Sequence, residues 1–68
     1  SLEEADTAAE VVRRARRVVI VADHTKLGIV THGRIADFSN IHIVITDYSA
    51  DIAFVKAAQE RGVEIILT

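Results

Sequence analysis

The chain has 68 residues, half of them apolar, 26% charged, with a net charge of −2. Such a length makes one small domain at most, and the balance of charge gives no overall pull toward nucleic acid or anionic lipid. The apolar content excludes a disordered tail. The absence of Cys excludes a disulfide framework and a thiolate metal site and fits a cytoplasmic protein, and only three aromatic residues leave the core to Val, Ile, Leu and Ala.

The first segment, SLEEADTAAEVVRRARR, residues 1–17, has the pattern of a helix. Ser1 and Glu4 have capping-box spacing. Glu3, Glu4 and Asp6 stand near its start and Arg13, Arg14, Arg16 and Arg17 near its end, an order that complements the helix dipole. Leu2, Ala5, Ala9 and Val12 fall on one face. Glu10 is spaced to pair with Arg13 and Arg14. A solvated helix end explains the RRARR cluster at 13–17 more economically than a nucleic-acid contact, since no aromatic residues interleave with it.

Val18 to Ala22 is an unbroken apolar run rich in β-branched residues, which predicts a strand buried on both faces. Residues 29–36 have some β-branching and no helical stripe, so a short strand is expected there, with a turn at 37–40. IHIVIT, residues 41–46, predicts a further strand of the first kind, in which His42 is satisfied or faces an edge. Asp51 to Arg61 predicts a helix with Ile52, Val55 and Ala58 on one stripe. Ser49 or Asp51 would cap its start, and Gly62 is placed to be the left-handed residue just past its end. VEIIL, residues 63–67, is the last expected strand.

Residues 41–67 form a βαβ unit, for which parallel strands and a right-handed crossover are expected. The fold class that follows is α/β: a small, open, mainly parallel sheet of three to four strands with two helices, a Rossmann-like fragment. No linker or low-complexity segment divides residues 1–68, so a single domain is expected. No apolar run approaches the ~20 residues that span a bilayer, and no signal peptide is visible. The lack of Met and the Ser-Leu-Glu-Glu start fit an excised piece of something longer, as they fit loss of an initiator Met.

Open parallel sheets bind ligands beyond the carboxyl ends of their strands. Two strands here end in chemically rich phrases: Asp23, His24, Thr25 and Lys26 after the first, and Thr46, Asp47, Tyr48 and Ser49 after the second. In a parallel sheet both lie on one rim. Lys26 can then meet a phosphate or carboxylate, Thr25 can offer a hydroxyl, and Asp23 and Asp47 can accept hydrogen bonds from sugar hydroxyls. The competing explanation is that Asp at a strand end is a turn or cap residue and that an exposed Lys serves solubility. The residues alone leave both open. His24, His32 and His42 share no ligand spacing, so no metal site is expected. The three Gly, at 28, 33 and 62, are isolated, so neither the dinucleotide fingerprint nor the P-loop is present. No nucleophile elbow is present either, so no catalytic residue and no cofactor is assigned.

The phrase Ala22-Asp23-His24-Thr25-Lys26-Leu27-Gly28 resembles a motif of the effector-binding domain of DeoR-type transcriptional regulators, which reads Ala-Asp-(His/Ser)-(Ser/Thr)-Lys-(Phe/Leu)-Gly after a Val-rich strand. Residues 38–47, FSNIHIVITD, resemble the family's later stretch, with Phe38 and His42 replacing the usual Leu and Asp. The resemblance covers nearly all 68 residues and matches only the last part of such a regulator. It implies a sensor fold like that of ribose-5-phosphate isomerase and a phosphorylated sugar as effector. It further implies that Asp23 and Lys26 lie at the effector pocket, with Lys26 on phosphate or a sugar oxygen. Together with the rim layout, the expected effector-binding residues are Asp23, His24, Thr25, Lys26 and Asp47. DNA would be contacted only through an N-terminal domain absent from these residues. Two other readings are an enzyme fragment of the isomerase type, which has a similar Asp-x-Ser-Lys phrase, and a purely structural unit. An open sheet edge and an uncovered face would favour association as a homo-oligomer.

Overall fold

The computed structural model of the chain describes residues 2–32 and 37–68. Its elements run α1 (Leu2–Arg14), β1 (Val19–Val21), α2 (His24–His32), β2 (Ile43–Thr46), α3 (Ile52–Glu60) and β3 (Glu64–Leu67). The three strands form one parallel sheet in the order β1-β2-β3. The expected α/β class with an open parallel sheet is observed, with three helices among the described residues rather than two.

The third helix is the main correction. Residues 29–32, expected to begin a strand, continue α2. The rest of that expected strand, 33–36, lies outside the described residues, as does the Ser1 cap. The reason is topological. Neighbouring parallel strands cannot be joined by a short turn; they need a crossover of a dozen or more residues, most often helical. That requirement overrides the weak helix propensity of Gly28 and the β-branched Ile29, Val30 and Thr31.

Right-handed crossovers between strands in sequential order put α2 and α3 on the same face of the sheet. Burial follows that geometry. Register pairs Ile20, Val44 and Ile65 across the sheet, and this parity carries the core: Val18, Val44 and Val63 are buried, with Ile20, Ala22 and Ile65 packed against them. Leu27 from α2 and Ala58 from α3 close the core from above, while Phe38 and Phe54 meet edge to face at 5.4 Å. The opposite parity pairs Val19, Ile43 and Glu64, then Val21, Ile45 and Ile66. Here Val21 is 74% exposed and Val19 45%. The strands are therefore not buried on both faces as expected. Their apolar residues prepare both faces, and only one is fully covered among the described residues.

α1 stops at Arg14, so Arg16 and Arg17 lie beyond it. Glu10 pairs with Arg13 and, at 2.7 Å, with Arg14. These exposed pairs add little stability. Val12 of α1 packs against the core. α3 has the expected ends. Asp51 caps it by accepting the Ala53 N–H. At the other end Gly62, at φ +87°, takes the left-handed conformation that turns the chain into β3. The Val63 and Gly62 N–H groups donate back to the Ala58 and Gln59 carbonyls, which completes a Schellman cap.

His42 is satisfied, as its place in the sequence suggested. Its Nδ1 accepts the Val18 backbone N–H at 3.0 Å, which ties the entry of β1 to that of β2. Thr46 is 3% exposed, and its hydroxyl has no partner among the described residues.

Candidate functional site at the carboxyl rim

β1 and β2 run parallel, so the chain leaves both at the same edge of the sheet. At this edge the phrases 23–26 and 46–49 meet. The Asp47 carboxylate accepts the His24 backbone N–H at 2.9 Å and lies 3.0 Å from His24 Nδ1 through both oxygens. It also accepts the Ser49 N–H at 2.8 Å. One side chain thus joins the start of α2 to the turn between β2 and α3, across 23 residues of sequence. These bonds, with those to His24 first, hold the Asp47 carboxyl down at about 2 from its ordinary 3.8.

Asp23 performs the local version of the same task. Its Oδ1 accepts the Thr25 N–H at 2.9 Å and the Thr25 hydroxyl, and its carbonyl accepts the Lys26 N–H at 3.0 Å. The Thr25 contacts lower its carboxyl below the usual range. The cap-and-turn explanation therefore accounts for part of what Asp23 and Asp47 do. It also has a consequence for ligands. Helix N-termini attract anions through unpaired N–H groups, but at α2 the His24 and Thr25 N–H groups already meet the chain's own carboxylates. An anion bound at the start of α2 would therefore rely on side-chain cations.

Lys26 is the cation available. It is exposed, and its ammonium makes no ion pair or hydrogen bond among the described residues. Thr25 is not an independent hydroxyl donor, because it is engaged with Asp23. His24 is held through Nδ1. All five residues expected at the pocket, Asp23, His24, Thr25, Lys26 and Asp47, lie in the two segments that meet here. Among the described residues no group of three or more His, Asp or Glu is placed to hold a metal ion. No described helix is long and apolar enough to cross a membrane.

Below the rim a cleft of about 540 Å³ opens between α2 and α3. His24 and Asp51 stand at its upper end, Leu27, Phe54 and Ala57 form its apolar wall, and Arg61 lies at its lower end. Arg61 also sits 5.9 Å above the Phe38 ring. No reading of sequence spacing placed these residues together. The only signal was the scarcity of aromatics: two of the three face each other here.

Residues 1–48 match the family model of the DeoR C-terminal sensor domain. The chain belongs to this family. It is 32% identical over 59 residues to the HTH-type transcriptional repressor GlcR of Bacillus subtilis (strain 168), an alignment covering 87% of this chain and 23% of that protein. It is likewise 32% identical over 53 residues to the HTH-type transcriptional regulator GolR of Listeria innocua, covering 78% of this chain and 21% of that protein. No solved structure matches it significantly. The DeoR sensor chain thus spans less than a quarter of the length of these relatives. Both relatives are transcriptional regulators, which favours a regulator over the isomerase-type enzyme fragment. The matched region contains the whole 23–26 segment and Asp47.

Proposed function

We propose that this chain is the C-terminal portion of the effector-binding domain of a DeoR-type regulator that responds to a phosphorylated sugar. It works as a sensor and not as an enzyme, in the cytoplasm. The observation that supports this most is the composition of the rim: Lys26, whose ammonium has no partner among the described residues, in the same segment as Asp23 and on the same rim as Asp47, two carboxylates whose positions are fixed by hydrogen bonds. Lys26 meets the phosphate, and the carboxylates accept sugar hydroxyls. Upstream sequence, outside these residues, completes the pocket and carries the DNA-binding part.

The mechanism is a shift of populations. A sugar phosphate that binds one conformation of the effector domain more tightly biases the regulator toward it, and so changes affinity for DNA elsewhere in the chain. The shift can be no larger than the differential affinity of the ligand for the two conformations. Isothermal titration calorimetry of the regulator against hexose and pentose phosphates tests the assignment. Lys26→Ala is expected to weaken binding about tenfold or more, the scale of a lost charge-assisted hydrogen bond. Heats unchanged by that substitution would remove Lys26 from the site.

The uncovered sheet face supports a second element of the proposal, self-association. Val19, Val21 and Ile66 are exposed there beside half-buried Ile43 and Ile45. Two copies that bury these faces against each other remove apolar surface from water. Sedimentation equilibrium is expected to show dimers that Val21→Lys dissociates. A monomer at every concentration would refute this element and leave the effector assignment standing.

A further inference from the structure

We propose that Tyr48 is the specificity-determining residue of the rim, a platform on which the ring of a cyclic sugar phosphate stacks through its C–H face. The inference rests on the effector reading above and names a contact that reading does not contain. Tyr48 is 77% exposed, and its hydroxyl has no partner among the described residues. An exposed aromatic in a turn is unremarkable alone. Three observations set this one apart.

Its position is the first. Tyr48 follows Asp47, the residue that joins the β2–α3 turn to the start of α2. Asp47 accepts the Ser49 N–H through its side chain and the Ala50 N–H, at 3.3 Å, through its carbonyl. The backbone that bears the ring is therefore bonded on both sides, and a side chain with only two torsions loses little freedom when a ligand covers it.

The second is the company it keeps. Ile52, 70% exposed, begins α3 four residues on, at the same carboxyl end of the sheet. The carboxyl rim thus has exposed apolar surface next to its charged groups. Ligand sites combine those two features: apolar or aromatic walls with a few polar groups that fix orientation.

The third is the chemistry already present. Asp23, Asp47 and Lys26 can address hydroxyls and a phosphate but do nothing for the apolar C–H face of a sugar ring. An aromatic ring is the side chain that recognises such a face while tolerating its polar edge. With Tyr48 included, the rim addresses every surface of a cyclic sugar phosphate, and it discriminates against an anion without a ring.

The chain contains one Tyr and no Trp, so its near-ultraviolet emission comes from Tyr48. The experiment titrates the chain and the full-length regulator with ribose 5-phosphate, glucose 6-phosphate and inorganic phosphate, following tyrosine emission of the chain and, separately, heat with the regulator. A saturable change of emission with a sugar phosphate and none with inorganic phosphate is expected. Tyr48→Ala is expected to weaken sugar-phosphate binding about three- to tenfold, and Tyr48→Phe to restore it. Heat that depends on Lys26 but is indifferent to Tyr48→Ala, with unchanged emission, would overturn this inference alone. Absence of heat from the full-length regulator with all sugar phosphates would overturn the effector reading and this inference together. Equal emission changes with inorganic phosphate would overturn the role in discrimination.

Discussion

Leu27→Ala is expected to abolish cooperative folding of the chain. Leu27 is 4% exposed and, among the described side chains of α2, is the one in the core formed with Val18, Val44 and Ala58. Truncating a buried Leu costs about 2–5 kcal/mol through lost burial and the cavity left behind. A single core in a chain below about 70–80 residues rarely supplies more than ~3–5 kcal/mol. The substitution therefore consumes most or all of the margin. Urea denaturation followed by far-ultraviolet circular dichroism is expected to lose its sigmoidal transition. Val11→Ala, at a site 63% exposed on α1, should change stability by no more than about 0.5 kcal/mol. A Leu27→Ala transition at the original midpoint would show that α2 does not pack as described.

Asp47→Asn is expected to change how stability depends on pH. The Asp47 carboxyl titrates at about 2 in the folded chain, against an ordinary 3.8. A depressed folded value means that the contribution is fully present above pH ~4 and disappears as pH falls through about 2. Asp23, Asp37 and Glu10 are lowered in the same direction, by Thr25, Ser39 and the two Arg side chains respectively. The original chain should therefore lose stability steadily between pH 4 and pH 2. Asp47→Asn should be less stable at pH 6, because its amide is a weaker acceptor for the His24 and Ser49 N–H groups, and should lose less on acidification. The difference between the two denaturation midpoints should shrink as pH falls. Midpoints that stay equally far apart from pH 6 to pH 2 would mean that the carboxylate does not stabilise the rim through its charge.

Much of the fold can be read from the order of residues. The strands announce themselves as β-branched runs, α1 through its segregated charge, and α3 through Asp51 at one end and Gly62 at the other. α2 escapes because its local pattern is poor. HTKLGIVTH has a central Gly, three consecutive β-branched residues and no apolar stripe, so local propensity favours a strand. The evidence for a helix is non-local: parallel pairing of 18–22 with 41–46 forces a crossover between them. The same reasoning would have identified the segment from the sheet outward. The two-sided burial expected for β1 fails for a different reason. An apolar run records that both faces are suited to burial. It does not record whether this chain has the means to cover them.

The site shows a similar division. Asp23 and Lys26 belong to a family motif legible in the sequence, and parallel strands bring them to the margin where Asp47 emerges. The bond between His24 and Asp47 spans 23 residues, and no spacing rule yields it. The identity of Asp23 as a helix cap was visible as one of two explanations. Its engagement with Thr25, which removes that hydroxyl from the set of available donors, required the structure.

Titration of the isotopically labelled chain with a sugar phosphate, followed through its backbone amide resonances, tests the sensor assignment most directly. Shifts are expected to concentrate at residues 23–26 and 47–49, the two segments that meet at the carboxyl rim. Shifts confined to the other end of the sheet, around Val18, His42 and Val63, would contradict it.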